Sequence, residues 1–77
     1  MARTVYYVVQ HQGEWKIKLD DKHYGPYDTQ GKAIRAAVDA AHKVGKSGHD
    51  AQVLIQGRDN KWRTEWTYGH DPYPPPG

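Results

Sequence analysis

The sequence YDTQGKAIRAAVDAAHKVG, residues 27–45, contains the one sustained helical pattern of this chain. Asp28 or Thr29 is suited to cap the first turn through a side-chain oxygen, and Gly45 is suited to end the helix in the left-handed conformation. The apolar residues between them recur at spacings of three and four, which places them on one face. They are Ala33, Ile34, Ala37, Val38, Ala41 and Val44. We therefore predict a single helix whose apolar stripe must be covered by a sheet.

The residues that precede this helix have the composition and alternation of strands. Residues 4–10 are rich in β-branched and aromatic side chains, and residues 15–19 alternate strictly between apolar and basic. Residues 22–24 are compatible with a short third strand that stops at Gly25-Pro26, because proline fits only an edge strand or a strand end.

Two further strands are predicted after the helix, at residues 51–56 and 61–68, joined by a turn at residues 57–60. Alternation in the last strand predicts one face made of Trp62, Thr64, Trp66 and Tyr68. The whole pattern predicts an α+β fold, in which a small antiparallel sheet of four to five strands carries one helix on one face. The predicted order of elements is β-β-(β)-α-β-β.

The chain is predicted to be one domain, residues 4–69, followed by a proline-rich tail, residues 70–77. Three successive prolines favour polyproline II or disorder, so we expect a flexible tail. Two alternatives remain open. The tail is a ligand for an aromatic groove on another protein, or residues 71–74 fold back against the tryptophans of the last strand.

The composition restricts the classes of function. The 77 residues include no cysteine, which excludes a disulfide framework and a thiolate zinc site. No apolar run approaches the roughly 20 residues needed to span a bilayer, and no apolar signal region precedes the first strand. We expect a soluble, cytoplasmic protein. The net charge of +2 is smaller than that of most dedicated nucleic-acid-binding domains of this size.

The sequence offers little for catalysis or metal binding. Its carboxylates are scattered, its single serine, Ser47, lies in a loop, and no glycine-rich phosphate loop joins a strand to a helix. The five histidines lack the spacing of metal ligands, and we expect them on the surface. They are His11, His23, His42, His49 and His70. We expect no cofactor and no enzymatic activity.

Several short motifs occur together in a characteristic order. They are VV at 8–9, Trp15, DT at 28–29, AI at 33–34, AA at 36–37, VLIQGRD at 53–59 and YGHDP at 68–72. In this order they resemble the bacterial family called domain of unknown function 2188, from about Val5 to the C-terminus. The most specific piece is the closing Tyr-Gly-x-Asp-Pro followed by prolines and glycine. The chain departs from the family pattern at Lys32, Trp66 and His70, where an acidic residue, a polar residue and Asn are common. The resemblance implies a fold and brings no activity, catalytic residue or ligand.

An aromatic row supports the first functional hypothesis. Trp62, Trp66 and Tyr68 on the last strand, with Trp15 on a neighbouring strand, exceed what a core beneath an alanine-rich helix should need. Core packing is the alternative explanation. We expect part of this row to be exposed in the monomer and buried in a homodimer or in an interface with a protein partner. This predicts a non-enzymatic interaction module that self-associates through sheet aromatics.

Basic strand faces support the second hypothesis. Lys16 and Lys18 share one strand face, and Lys61 and Arg63 share another, so the two faces together would make a basic patch. Tyr7 is a candidate for base stacking beside it. The alternative is an ordinary solvated face, where lysine also discourages aggregation between sheet edges. This predicts a weak nucleic-acid-binding protein.

Overall fold

The computed structural model describes residues 3–57 and 59–74. Over these residues a single α-helix lies on one face of a five-stranded sheet. The elements are β1 (Thr4–His11), β2 (Glu14–Leu19), β3 (Lys22–Tyr27), α1 (Gln30–Lys46), β4 (Ala51–Gln56) and β5 (Trp62–Thr67).

The sheet has the order β3-β2-β1-β4-β5 and is mixed. The prediction of a purely antiparallel sheet is wrong at one pair, because β1 and β4 are parallel. The reason is that β3 is a full strand, so the chain runs up, down and up before the helix. Since α1 returns the chain to its starting end, β4 runs in the direction of β1. Pro26 lies inside β3, which pairs only with β2 and is therefore an edge strand.

The core lies between α1 and the sheet. Ala33, Ala37 and Ala41 are fully buried, and their small side chains let the helix approach the strands closely. The sheet contributes buried side chains from four of its strands: Tyr6, Val8, Ile17, Ala51, Val53, Ile55 and Trp66. The predicted apolar stripe of the helix is thus covered by the sheet.

The N-terminal end of α1 agrees with the prediction, and the C-terminal end differs from it. Thr29 is the N-terminal cap, and its hydroxyl accepts a hydrogen bond from the backbone N–H of Lys32 at 3.2 Å. Gly45 does not end the helix, which continues to Lys46. Its role is steric, because a Cβ at this position would overlap ring atoms of Tyr68. Gly45 is therefore the point at which the segment after β5 packs on the helix.

The beginning of the predicted tail packs on the domain. The Asp71 carboxylate accepts a hydrogen bond from the backbone N–H of Thr67 at 2.9 Å, and the carbonyl of Pro72 accepts one from the Trp66 indole at 2.9 Å. The Tyr73 ring stacks on His42 with ring centroids 3.7 Å apart. Residues 71–74 thus adopt the folded-back arrangement, while residues 75–77 lie outside the described residues.

Within residues 3–57 and 59–74, no helix is both long enough and apolar enough to cross a membrane.

Candidate binding surface on the open sheet face

The helix covers only one side of the sheet. In β1, Tyr6 and Val8 are buried beneath α1, so the side chains that alternate with them point to the opposite side. We call this opposite side the open face, and no other element of the described chain covers it. Its central side chains, identified from the strand registers, are Val5, Tyr7, Val9, Lys16, Lys18, Leu54, Gln56, Trp62 and Thr64.

An aromatic pair lies on the open face. Tyr7 on β1 and Trp62 on β5 approach edge to face, with ring centroids 4.9 Å apart and planes at 72°. Leu54, the partner of Tyr7 on β4, lies on the strand between them. Trp62 is 44% exposed, and Tyr7 is half-buried. The pair therefore presents aromatic surface to solvent beside an aliphatic side chain.

Cationic side chains border this pair. Lys18 lies directly opposite Tyr7 in the β1–β2 register, and Lys16 lies opposite Val9. Directly opposed residues share one face of an antiparallel pair, so both lysines are on the open face. His23 on β3 is opposite Lys18 and extends the polar border. In the part of the chain that the structure describes, neither lysine makes an ion pair.

A third cation approaches from the beginning of β1. Arg3 donates from Nη1 to the side-chain oxygen of Gln52 at 3.3 Å, and the same amide donates to the Thr67 hydroxyl at 3.4 Å. Gln52 and Thr67 are partners across β4 and β5. Glu14, opposite His11 at the end of the β1–β2 hairpin, adds a negative charge to this side of the sheet. The open face thus carries cations beside Tyr7 on β2 and at the end of the sheet where β1 begins.

The four predicted basic residues do not form one patch. Lys16 and Lys18 are on the open face, whereas Arg63 is the partner of Ile55, which is buried beneath the helix. Lys61 precedes β5 and is exposed. The patch divides because β1 and β4 separate β2 from β5, and because Arg63 points to the opposite side of the sheet from the two lysines.

The predicted aromatic row is also divided, and the cause is an irregularity in β5. Leu54 pairs with Thr64 but Val53 pairs with Trp66, so Glu65 is an extra residue in the strand. The prediction that Trp62 and Trp66 face the same way is therefore wrong.

The four aromatic residues of this row have different environments. Trp62 is on the open face, and Trp66 is 2% exposed beneath the helix. Trp15 and Tyr68 are half-buried and pack against the core on the helix side. Only Trp62 of the four is strongly exposed in the described chain. The whole row therefore does not lie on one exposed surface of the sheet.

A cleft that no sequence pattern predicted lies on the helix side, at the end of β1 and β4. It is an open cleft of about 910 Å³. One wall is Trp15, and the remaining side chains are almost all polar: Gln10, Gln30, Gln56, Asp59, Asn60 and Arg63. These residues come from five separate segments, so no local sequence motif marks the cleft.

The described residues show no arrangement typical of a metal centre, since no group of three or more His, Asp or Glu side chains is placed to hold an ion. His42 is half-buried against Tyr73, and the other four histidines are exposed. Two tyrosines have a raised pKa. Burial, with a smaller effect of nearby Tyr24, raises the pKa of Tyr6, and a hydrogen bond to Asp39 raises the pKa of Tyr73. Both lie away from the open face.

Comparison with models of protein families gives a match over most of the chain. The model of a family described as "Uncharacterized protein conserved in bacteria (DUF2188)" matches residues 6–68, and the chain therefore belongs to this family. Neither the curated proteins nor the solved structures give a match. The matched range includes β1 from Tyr6 onward and all of the other strands and the helix, and it ends before the segment that contains Asp71, Pro72 and Tyr73.

Proposed function

We propose that this member of the DUF2188 family is a non-enzymatic binding module that holds single-stranded nucleic acid on the open face of its sheet. One observation carries the proposal: the Tyr7–Trp62 pair and the two lysines, Lys16 and Lys18, lie on the same uncovered face. Proteins that bind single strands combine aromatic side chains, on which bases stack, with cations that follow the phosphates.

The aromatic pair suits an unpaired base. In an edge-to-face pair one ring keeps its face available, and Trp62 is 44% exposed beside Tyr7. A base that stacks on it must be out of a duplex, because the bases of a duplex already stack on each other. This favours a single strand over double-stranded DNA or RNA.

The cations set the expected strength of binding. Lys16, Lys18 and Arg3 are positioned to meet phosphates, whereas the net charge of the whole chain is only +2. Three neutralised phosphates on a single strand predict a slope of about −2 for the logarithm of the binding constant against the logarithm of salt concentration. We therefore expect weak, salt-dependent binding without strict sequence preference.

Self-association through the same face is the second candidate. Val5, Val9 and Leu54 form an aliphatic centre next to exposed Trp62, and an aromatic anchor of this kind is typical of protein interfaces. Each copy of this face carries Lys16 and Lys18, so two copies would meet with charges of the same sign, whereas the same lysines attract phosphates. This charge is why the nucleic-acid function is preferred.

The test is a titration of a fluorescein-labelled oligothymidine and an oligouridine, followed by fluorescence anisotropy at several salt concentrations. The double variant Lys16→Ala/Lys18→Ala should reduce the salt slope from about −2 to about −0.7, because one phosphate contact remains. Lys43→Ala/Lys46→Ala is the matched control, since it removes the same charge from the last turn of α1. Equal slopes for the two double variants would reject the open face as the binding surface.

Light scattering on the same samples tests the second candidate. A dimer mass that persists at high salt and is lost in Trp62→Ala would favour self-association.

A further inference from the structure

The cleft at the end of β1 and β4 is joined to the open face by two neighbouring residues of β5. Trp62 points to the open face and is the partner of Gln56, which also borders the cleft. Arg63, the next residue along the strand, points to the other side of the sheet and borders the cleft as well. Because β5 is an edge strand and Trp62 is its first residue, a chain stacked on Trp62 reaches the cleft by passing around the end of β5.

We propose that this cleft holds one nucleotide of the bound strand, with the base against Trp15 and its phosphate at Arg63. The inference rests on the proposed function, which supplies the strand. It adds a second contact site on the opposite side of the sheet, at the end where the strand leaves the open face.

The size and lining of the cleft fit this ligand. Its volume of about 910 Å³ is within the range of about 300–1,000 Å³ typical of small-molecule sites. Trp15 provides an apolar wall of indole against which a planar base packs.

The polar side chains match the edge of a base. Gln10, Gln30 and Asn60 each carry an amide with donors and an acceptor, and bases present both kinds of group on their Watson–Crick edge. Amides of this type read base edges through paired hydrogen bonds. The cleft therefore recognises a flat ring with mixed donors and acceptors better than it recognises an apolar molecule.

The charges of the cleft place the phosphate. Arg63 supplies a guanidinium group, whose fork of donors matches two phosphate oxygens. Asp59 supplies a carboxylate, one oxygen of which accepts a hydrogen bond from the backbone N–H of Lys61 at 3.1 Å. The carboxylate is thus directed into its own turn, and the phosphate is expected on the Arg63 side.

Nuclear magnetic resonance tests this inference with adenosine and guanosine monophosphates as probes. Side-chain amide signals of Gln10, Gln30 and Asn60 and the indole N–H signal of Trp15 should shift on titration. Arg63→Ala should weaken mononucleotide binding roughly 10- to 100-fold, as expected for loss of hydrogen bonds to a charged group. Lys61→Ala is the matched control, because it removes the same charge two residues away and should leave the affinity unchanged.

The probes separate this inference from the proposed function. If an oligothymidine shifts the open face while the mononucleotides leave the cleft signals in place, the inference is wrong and the proposed function stands. If the mononucleotides shift the cleft signals and the oligonucleotide leaves the open face unchanged, the proposed function is wrong and the cleft is a nucleotide site on its own. Equal mononucleotide affinities for Arg63→Ala and Lys61→Ala would overturn the assignment of the phosphate.

Discussion

Tyr7 and Trp62 meet edge to face with ring centroids 4.9 Å apart, although they belong to β1 and β5 and β4 lies between these strands. Lys18 is directly opposite Tyr7 on the other side of β1. Trp62, which was predicted for a protein interface, and Lys18, which was predicted for nucleic-acid binding, therefore lie on the same surface. This relationship is the basis for regarding the open face as one binding site.

Replacing Trp62 with Ala should weaken binding of a single-stranded oligonucleotide about 5- to 150-fold, since one base–aromatic stack contributes about 1–3 kcal/mol. The free energy of unfolding should fall by only about 1 kcal/mol, because Trp62 is 44% exposed and loses chiefly its contact with Tyr7. Anisotropy and urea denaturation measure the two effects. Tyr24→Ala is the control, because Tyr24 is also 44% exposed but pairs with Ile17 on the helix side, and it should leave the oligonucleotide affinity unchanged. Wild-type affinity in Trp62→Ala would contradict the stacking role.

Replacing Gly45 with Ala should destabilise the protein by about 1–3 kcal/mol, although alanine is the better helix former by about 1 kcal/mol. The added methyl group would collide with the Tyr68 ring. Gly31→Ala is the control in the same helix, because only the Thr29 hydroxyl lies within reach, at 4.0 Å, and it should be neutral or stabilising. In a Tyr68→Ala background the cost of Gly45→Ala should disappear. Urea denaturation of the four proteins measures this coupling.

Replacing Asp71 with Ala should lower the free energy of unfolding by about 1–2 kcal/mol, because the part-buried N–H of Thr67 loses its acceptor. Asp71→Asn keeps an acceptor oxygen at the same place and should cost less than half as much. Thermal unfolding followed by circular dichroism measures the difference. Equal stability of Asp71→Ala and wild type would show that the Asp71–Thr67 hydrogen bond does not stabilise the fold.

The contact of Tyr73 with Asp39 predicts a change of stability at alkaline pH. The phenol donates to the Asp39 carboxylate at 2.7 Å, and this hydrogen bond is the main reason why the pKa of Tyr73 is raised above its ordinary value of 10.0. A raised pKa in the folded state means that its stabilising contribution is complete below pH 10.0 and is lost as the pH rises through the higher folded value.

The measurement for this contact is urea denaturation of wild type and Tyr73→Phe between neutral pH and pH 11. Wild type should lose more stability than the variant above about pH 10. Tyr6, whose pKa is also raised, is present in both proteins and affects both curves alike. Two curves that remain parallel across this range would contradict the predicted role of the hydrogen bond.

The sequence predicts well wherever a pattern is local. The spacing of alanines and β-branched residues locates α1. The strict alternation of residues 15–19 locates β2, and it correctly assigns Ile17 to the helix side and Lys16 and Lys18 to the open face. In each case the pattern is long enough to define one face of one element.

The errors concern positions where long-range pairing overrides the local pattern. Gly25-Pro26 suggests that the short third strand stops at residue 24, yet β3 continues to Tyr27 at a sheet edge, and with this full strand β4 is parallel to β1. Gly45 has the local appearance of a helix end, but its lack of a side chain is required by Tyr68, more than 20 residues later. Neither contact has a local signature.

The candidate site was predictable only in part for the same reason. Tyr7 and the two lysines are in regular strands, so their common face follows from the hairpin register. Trp62 lies on the same face but Trp66 does not, because the extra residue Glu65 turns Trp66 to the helix side. A bulge of this kind cannot be predicted from simple alternation. The cleft was missed because its side chains come from distant segments.

The most direct test of the central claim is a nuclear magnetic resonance titration of the ¹⁵N-labelled protein with a short oligothymidine at low salt. The account predicts shifts of the amide signals of β1, β2 and β5 around Tyr7, Lys16, Lys18 and Trp62, which reverse at high salt, while the exposed residues of α1 remain unchanged. Unchanged signals on the open face at saturating oligonucleotide, or shifts confined to α1, would contradict it.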